Sequence, residues 1–132
     1  GTLVASVLHV RERPEAERVV ILDAGMTELI RPALYGAEHP IEALTSLGKV
    51  VADPGRDEAQ PRARVDGPVC ESTDTFGSAV LPPLRRGDLV AIGWAGAYAA
   101  SMAMRYNGRP PAPQVILEAD GSLTLVRRRG RT

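Results

Sequence analysis

A chain of 132 residues has room for one domain and one core, and its 44% apolar content is that of a folded protein. Sixteen basic and sixteen acidic side chains cancel, which argues against a phosphate-backbone partner. No apolar run approaches the roughly 18–20 residues that cross a bilayer, no charged-then-apolar leader opens the chain, and two histidines with one cysteine match no zinc spacing, so membrane insertion, export and a metal site are not expected.

Thr2 to Val10 is a β-branched, apolar run that ends in a polar turn through Pro14. Arg18 to Asp23 reads as a second strand around Val19-Val20-Ile21-Leu22, and the two are expected to pair antiparallel. Thr27 suits the cap of a short helical turn, which Pro32 is expected to interrupt. Ile41 to Leu47 is a third candidate strand. Gly48 to Pro61, with Asp53-Pro54-Gly55 and many charges, reads as an exposed loop with at most a short strand at Val50-Val51. Arg62 to Val69 alternates charged and apolar residues and leads as a strand into the only cysteine, Cys70. Pro82-Pro83 breaks the chain, and Gly87-Asp88 turns it into a buried strand, Leu89 to Ile92.

Tyr98 to Tyr106, Ala-rich and stopped by Asn107-Gly108, is the best helix candidate. Gln114 to Glu118 and Ser122 to Val126 flank Asp120-Gly121, which signals a hairpin with a type I′ turn. The basic tail Arg127-Arg128-Arg129-Gly130-Arg131 reads as a solvated terminus rather than a nucleic-acid contact. Strands parted by turns indicate a mainly β fold, a β-sandwich or a partly open, Greek-key-like barrel with one or two short helices.

The residues with chemistry each carry two readings. Cys70 alone fits a small buried hydrophobe. As a nucleophile it needs a base, and His39 is the one obvious candidate. As a proton donor it is helped by Glu71, whose charge favours the neutral thiol. Glu71 and Asp74, three apart, either cap a turn or face a cationic group. Arg31 and Tyr35, four apart, either grip a carboxylate from one helical face or serve as a surface ion pair and a packed ring. Tyr98 follows Gly93-Trp94-Ala95-Gly96-Ala97, whose small residues suit a close ligand approach or a tight packing point. A lone cysteine also suits a reducing, cytoplasmic setting.

Taken in order, these segments resemble the carboxy-terminal domain of diaminopimelate decarboxylase. The likeness rests on Asp23-Ala24-Gly25-Met26, Arg31-Pro32-Ala33-Leu34-Tyr35 with His39-Pro40-Ile41, Gly67-Pro68-Val69-Cys70-Glu71-Ser72-Thr73-Asp74, Gly87-Asp88-Leu89-Val90, Ala95-Gly96-Ala97-Tyr98 and Tyr106-Asn107-Gly108-Arg109-Pro110, and runs over nearly the whole chain. The resemblance implies that residues 1–132 are a C-terminal β domain whose N-terminal pyridoxal-phosphate-binding barrel lies outside this chain. The implied reaction is decarboxylation of meso-2,6-diaminopimelate to L-lysine and carbon dioxide, the last step of lysine biosynthesis, in a cytoplasmic enzyme that uses pyridoxal 5'-phosphate. Cys70 would donate the proton, Glu71 would hold the distal ammonium, Arg31 and Tyr35 would bind a substrate carboxylate, and Tyr98 would contact cofactor and substrate. The likeness also implies a homodimer in which Cys70 and Glu71 reach the partner's active site; without its barrel domain the isolated chain is expected to be inactive. Two alternatives stand beside this: a related decarboxylase acting on ornithine, arginine or carboxynorspermidine, or a non-catalytic dimerisation or binding module.

The sequence departs from the family pattern in places. Lys49, its only lysine, sits in the charged loop and cannot replace the family's cofactor lysine. The segment from Gly48 to Pro61 is longer than usual, Asp66 stands where an apolar residue is common, and the acidic helical tail is missing after Arg129.

Overall fold

The computed structural model describes residues 1–51 and 62–130. Its elements are β1 (Leu3–Arg11), β2 (Arg18–Leu22), α1 (Arg31–Tyr35), β3 (Ile41–Leu44), β4 (Arg62–Asp66), β5 (Thr75–Val80), β6 (Leu89–Ile92), α2 (Gly96–Met102), β7 (Gln114–Leu117) and β8 (Leu123–Arg127), with a 3-10 turn at Tyr106–Gly108. Six strands form one curled sheet in the order β3-β6-β1-β2-β4-β5, and β7-β8 is a separate hairpin. Of the two forms expected, the partly open barrel is the one built.

Register explains the core. Ala5 lies opposite Val90, Val7 opposite Leu22, Val20 opposite Val65, and Ala43 opposite Val90, so one face of five neighbouring strands is continuously apolar. Each of these side chains is buried, and each Val or Leu among them contributes about 1.5–3 kcal/mol by leaving water. A bulge between Val7 and His9 shifts the β1 register and leaves Leu8 and His9 outside. Arg18 occupies a buried position of β2 where the alternation calls for an apolar residue. Its guanidinium donates to the carbonyls of Leu81 and Pro82, tying the Pro82-Pro83 break to the sheet.

Several expectations change in detail. The antiparallel β1–β2 pair forms as expected, but β2 also pairs parallel with β4, which local pattern does not show. Strand β5 was not expected at all. Val50 makes a single bridge to Leu44, and the Val51 N–H donates to the Ala43 carbonyl at 3.0 Å, so the expected short strand is only a cover on the outer edge of β3. Most of the expected 48–61 loop, from 52 to 61, lies outside the described residues, as does Arg131 of the basic tail.

Pro32 stands in the first turn of α1 instead of interrupting it, because that turn needs no N–H from this position. The helix expected over 98–106 forms over 96–102 and stops at Ala103, whose backbone is extended. The hairpin forms with a different turn. The Gly121 N–H donates to the Glu118 carbonyl at 3.0 Å, and only Gly121 has positive φ (84°). Type I′ needs positive φ at both central residues, so this is a type I turn closed by a left-handed glycine. The Ser122 hydroxyl, and after it the Ser122 N–H that donates to Asp120 Oδ1 at 2.9 Å, hold the Asp120 carboxyl below the ordinary aspartate range.

Candidate functional site

The segment between β2 and α1, residues 23–30, is the hub to which the chemistry-bearing segments attach. Asp23 anchors it to β1: its carboxylate accepts the Ser6 N–H at 2.7 Å, and its own N–H donates to the Ser6 carbonyl at 2.9 Å. Gly25 then opens one helical turn, with the Glu28 and Leu29 N–H groups both donating to its carbonyl at 3.0 Å. The Glu28 carboxylate reaches back to accept the Gly25 N–H at 2.9 Å and the Thr27 hydroxyl at 2.8 Å. Thr27 is therefore buried inside the turn, and Glu28, not Thr27, caps it.

This turn delivers α1. Gly36 closes α1 in the left-handed conformation (φ 62°), its N–H bonding back to the Pro32 carbonyl at 2.9 Å. Arg31 is half-buried and Tyr35 is 65% exposed. Among the described residues neither side chain has a hydrogen-bond or ion-pair partner.

Cys70 and Glu71 stand in the connection from β4 to β5. The Glu71 N–H donates to the Val69 carbonyl at 2.8 Å, and the Asp74 N–H closes a β-turn on the Glu71 carbonyl at 3.0 Å. That turn sends the two acids in opposite directions. Glu71 is exposed and binds only its neighbour Ser72, through N–H at 2.9 Å and hydroxyl at 3.2 Å. Asp74 is 3% exposed and accepts the Met26 N–H at 2.6 Å and the Val69 N–H at 2.7 Å. Of the paired carboxylates read from spacing, only Glu71 can face a ligand. Cys70 is an exposed free thiol and not a core residue. His39, its only candidate base, is buried, with Nδ1 2.9 Å from the Gly93 carbonyl oxygen.

Tyr98 lies on α2 and is 60% exposed. The small residues before it are used up by internal packing. A Cβ on Gly93 would meet Pro40 at 2.7 Å, and one on Gly96 would meet the Gly1 backbone at 2.8 Å. Trp94 between them is exposed with left-handed backbone, φ 54°. Beyond α2 the chain returns to the hub: the Met104 N–H donates to the Thr27 carbonyl at 3.0 Å. Arg109 follows, donating to Thr27 Oγ1 at 3.1 Å, to the Asp23 carbonyl, and to Glu28 at 3.4 Å.

The structure thus ties the Arg31–Tyr35 helix, the Cys70–Glu71 turn and the Tyr98 segment to one loop, while no bond joins the five side chains to each other. Groups of these kinds can bind a ligand's carboxylate and ammonium and supply a proton; the buried Asp74 and the half-buried Glu28 and Arg109 hold their frame. The sequence signal for those three was weak. Asp74 looked like a partner of Glu71, and Arg109 was visible only as part of a motif. Among the described residues there is no cluster of three or more potential metal ligands, and no helix is long and apolar enough to cross a membrane.

Comparison with known proteins agrees with this architecture. Residues 1–96 match the family model described as pyridoxal-dependent decarboxylase, C-terminal sheet domain. The chain is 44% identical over 130 residues to a diaminopimelate decarboxylase of Helicobacter pylori, covering 98% of this chain and 30% of that protein. A crystal structure of diaminopimelate decarboxylase superposes with a TM-score of 0.84 at 35% identity, covering 98% of this chain and 31% of the other. The Helicobacter pylori enzyme complexed with L-lysine gives 0.79 at 39% identity, covering 98% and 29%. This chain therefore spans about 30% of the length of the curated relatives it matches. With the family model matched over most of the chain and the same curled sheet in its solved relatives, the chain belongs to the C-terminal sheet domains of the pyridoxal-dependent decarboxylases.

Proposed function

We propose that this chain is the C-terminal domain, residues 1–132, of a diaminopimelate decarboxylase that releases carbon dioxide from meso-2,6-diaminopimelate to give L-lysine. The observation that carries the reading is the free, exposed Cys70–Glu71 pair on a turn locked to the segment that launches Arg31 and Tyr35. Identities of 44% and 36% to diaminopimelate decarboxylases of Helicobacter pylori and Escherichia coli support the substrate assignment.

The residues present fit a share of a cofactor site and not a whole one. Lys49 is exposed in the turn after β3, its N–H on Thr45, and the glycines before Tyr98 are filled by Pro40 and Gly1. The Schiff-base lysine and phosphate cradle thus belong to an N-terminal barrel outside this chain, and Tyr98 is this domain's contact with the cofactor. Pyridoxal phosphate, when bound, supplies the sink for the electron pair released as carbon dioxide leaves.

This chain's residues perform the remaining tasks. Arg31 and Tyr35 bind the carboxylate at the far end of the substrate, with the guanidinium able to take both oxygens. Glu71 binds the distal ammonium, which fixes which end reacts. Cys70 delivers a proton to the carbon that has lost its carboxylate, and its place on a rigid turn sets the face of delivery. Cys70 and Glu71 act in the active site of a second copy, so the working unit is a cytoplasmic homodimer.

The test uses the full-length enzyme bearing this domain. Cys70→Ala is expected to lower kcat on diaminopimelate by about 10²–10⁴-fold, the scale of a lost general acid, with the cofactor still bound. Undiminished kcat would remove Cys70 from the chemistry and leave a binding module. Equal kcat/KM on ornithine and diaminopimelate would overturn the substrate assignment.

A further inference from the structure

Asp74 is a buried anion whose side chain meets no arginine or lysine among the described residues. Its partners are two backbone N–H groups, one for each oxygen: Met26 on Oδ1 at 2.6 Å and Val69 on Oδ2 at 2.7 Å. Both are short, charge-assisted bonds. Gly25 and Gly67 flank the carboxylate so closely that a Cβ on either would overlap it. The Gly67 N–H also donates to the Asp74 carbonyl at 2.8 Å, and the Thr73 hydroxyl lies 3.8 Å from Met26 Sδ. The carboxylate therefore sits in a fitted slot and ties its own loop to Met26, 48 residues earlier in sequence.

The bridged residues give this slot its meaning. Val69 immediately precedes Cys70, and Met26 begins the turn that delivers Arg31. Resting on the proposed function above, we infer that Asp74 is a positioning residue: its two oxygens fix the turn that presents Cys70 and Glu71 to the second copy's site against the segment that launches α1 in its own chain. Only a carboxylate offers an acceptor to both amides. A hydroxyl has one oxygen, and a side-chain amide turns one of its two ends into a donor. The clamp also explains why the adjacent acids diverge, one inward to hold the turn and one outward to meet substrate.

The experiment compares wild-type full-length enzyme with Asp74→Asn by two independent readouts. Amide hydrogen exchange is followed in peptides covering 24–30 and 67–74, and kcat on diaminopimelate is measured per bound cofactor. Asn keeps one amide partner and sets N–H against N–H at the other. Exchange is expected to rise in those two peptides and not in β1, β2 or β6, while kcat falls roughly 10–100-fold, the scale of an ångström-sized misplacement. Raised exchange with kcat per cofactor unchanged would make Asp74 merely structural and overturn the inference. Unchanged exchange would remove the clamp itself. If Asp74→Asn does not fold, Gly67→Ala, which displaces the carboxylate without removing it, is read in the same two ways. A wild-type enzyme that releases no carbon dioxide from diaminopimelate would sink the proposed function instead, and exchange alone would then decide whether the clamp exists.

Discussion

Arg109 shows how one side chain can organise a loop it does not belong to. Its guanidinium takes Thr27 Oγ1, the Asp23 carbonyl and Glu28 on a segment more than eighty residues earlier in the chain. The planar fork suits this because its donors point in fixed, diverging directions. Without that partner Glu28, whose side chain is 9% exposed, would keep only the Gly25 N–H and the Thr27 hydroxyl. We expect Arg109→Ala to cost about 2 kcal/mol in urea unfolding, since hydrogen bonds to charged groups are worth roughly 1.5–3 kcal/mol. Arg109→Lys should recover only part of it, because a single ammonium cannot reach all three acceptors. Full recovery by lysine would mean that charge alone matters here.

At the scale of elements, α1 is too short to persist by itself and depends on its ends. Its C-terminal cap is Gly36 at φ 62°, with open space where a Cβ would project. Gly36→Ala is therefore expected to cost about 1 kcal/mol from backbone strain alone, and Gly36→Asn less, because asparagine tolerates the left-handed region. Thermal unfolding of the pair separates strain from steric clash: equal losses would point to crowding. The sequence made such elements legible unevenly. β1, β2 and β6 were readable as apolar, largely β-branched runs bounded by turn residues, and β4 because charged and apolar residues alternate from Arg62. β5 was not, because Phe76 is its only buried residue and Gly77, at φ 88°, breaks the alternation at once. The start of α2 was misplaced by two residues, since Ala95, Gly96 and Ala97 carry no capping side chain to mark it. Among site residues, the outward ones were visible as types in order. Asp74 was visible only as a second acid beside Glu71; its inward role was not, because its partners are backbone groups that no side-chain pattern reveals.

For the whole molecule, the β7–β8 hairpin poses the remaining physical question. A lone two-stranded hairpin is marginal in water, yet this one is largely exposed on both faces. Register sets Val115 opposite Leu125 and Leu117 opposite Leu123, so four apolar side chains form a ladder on one face, each more than half exposed. Beside it lies a cleft of about 630 Å³ lined by Leu3, Ala99, Ala103, Pro113, Val115 and Ile116. Apolar surface this continuous is uncommon on a monomeric soluble protein. Produced as these 132 residues alone, the domain is therefore expected to self-associate, with the sedimentation coefficient rising with concentration. Leu117→Lys with Leu125→Lys should return it to a monomer, because two ammonium groups would then stand on the face that must be desolvated. In the full-length enzyme the same double substitution separates two sites for that face. Loss of the dimer would place the ladder between copies. An intact dimer with a lowered unfolding temperature would place it against the rest of its own chain.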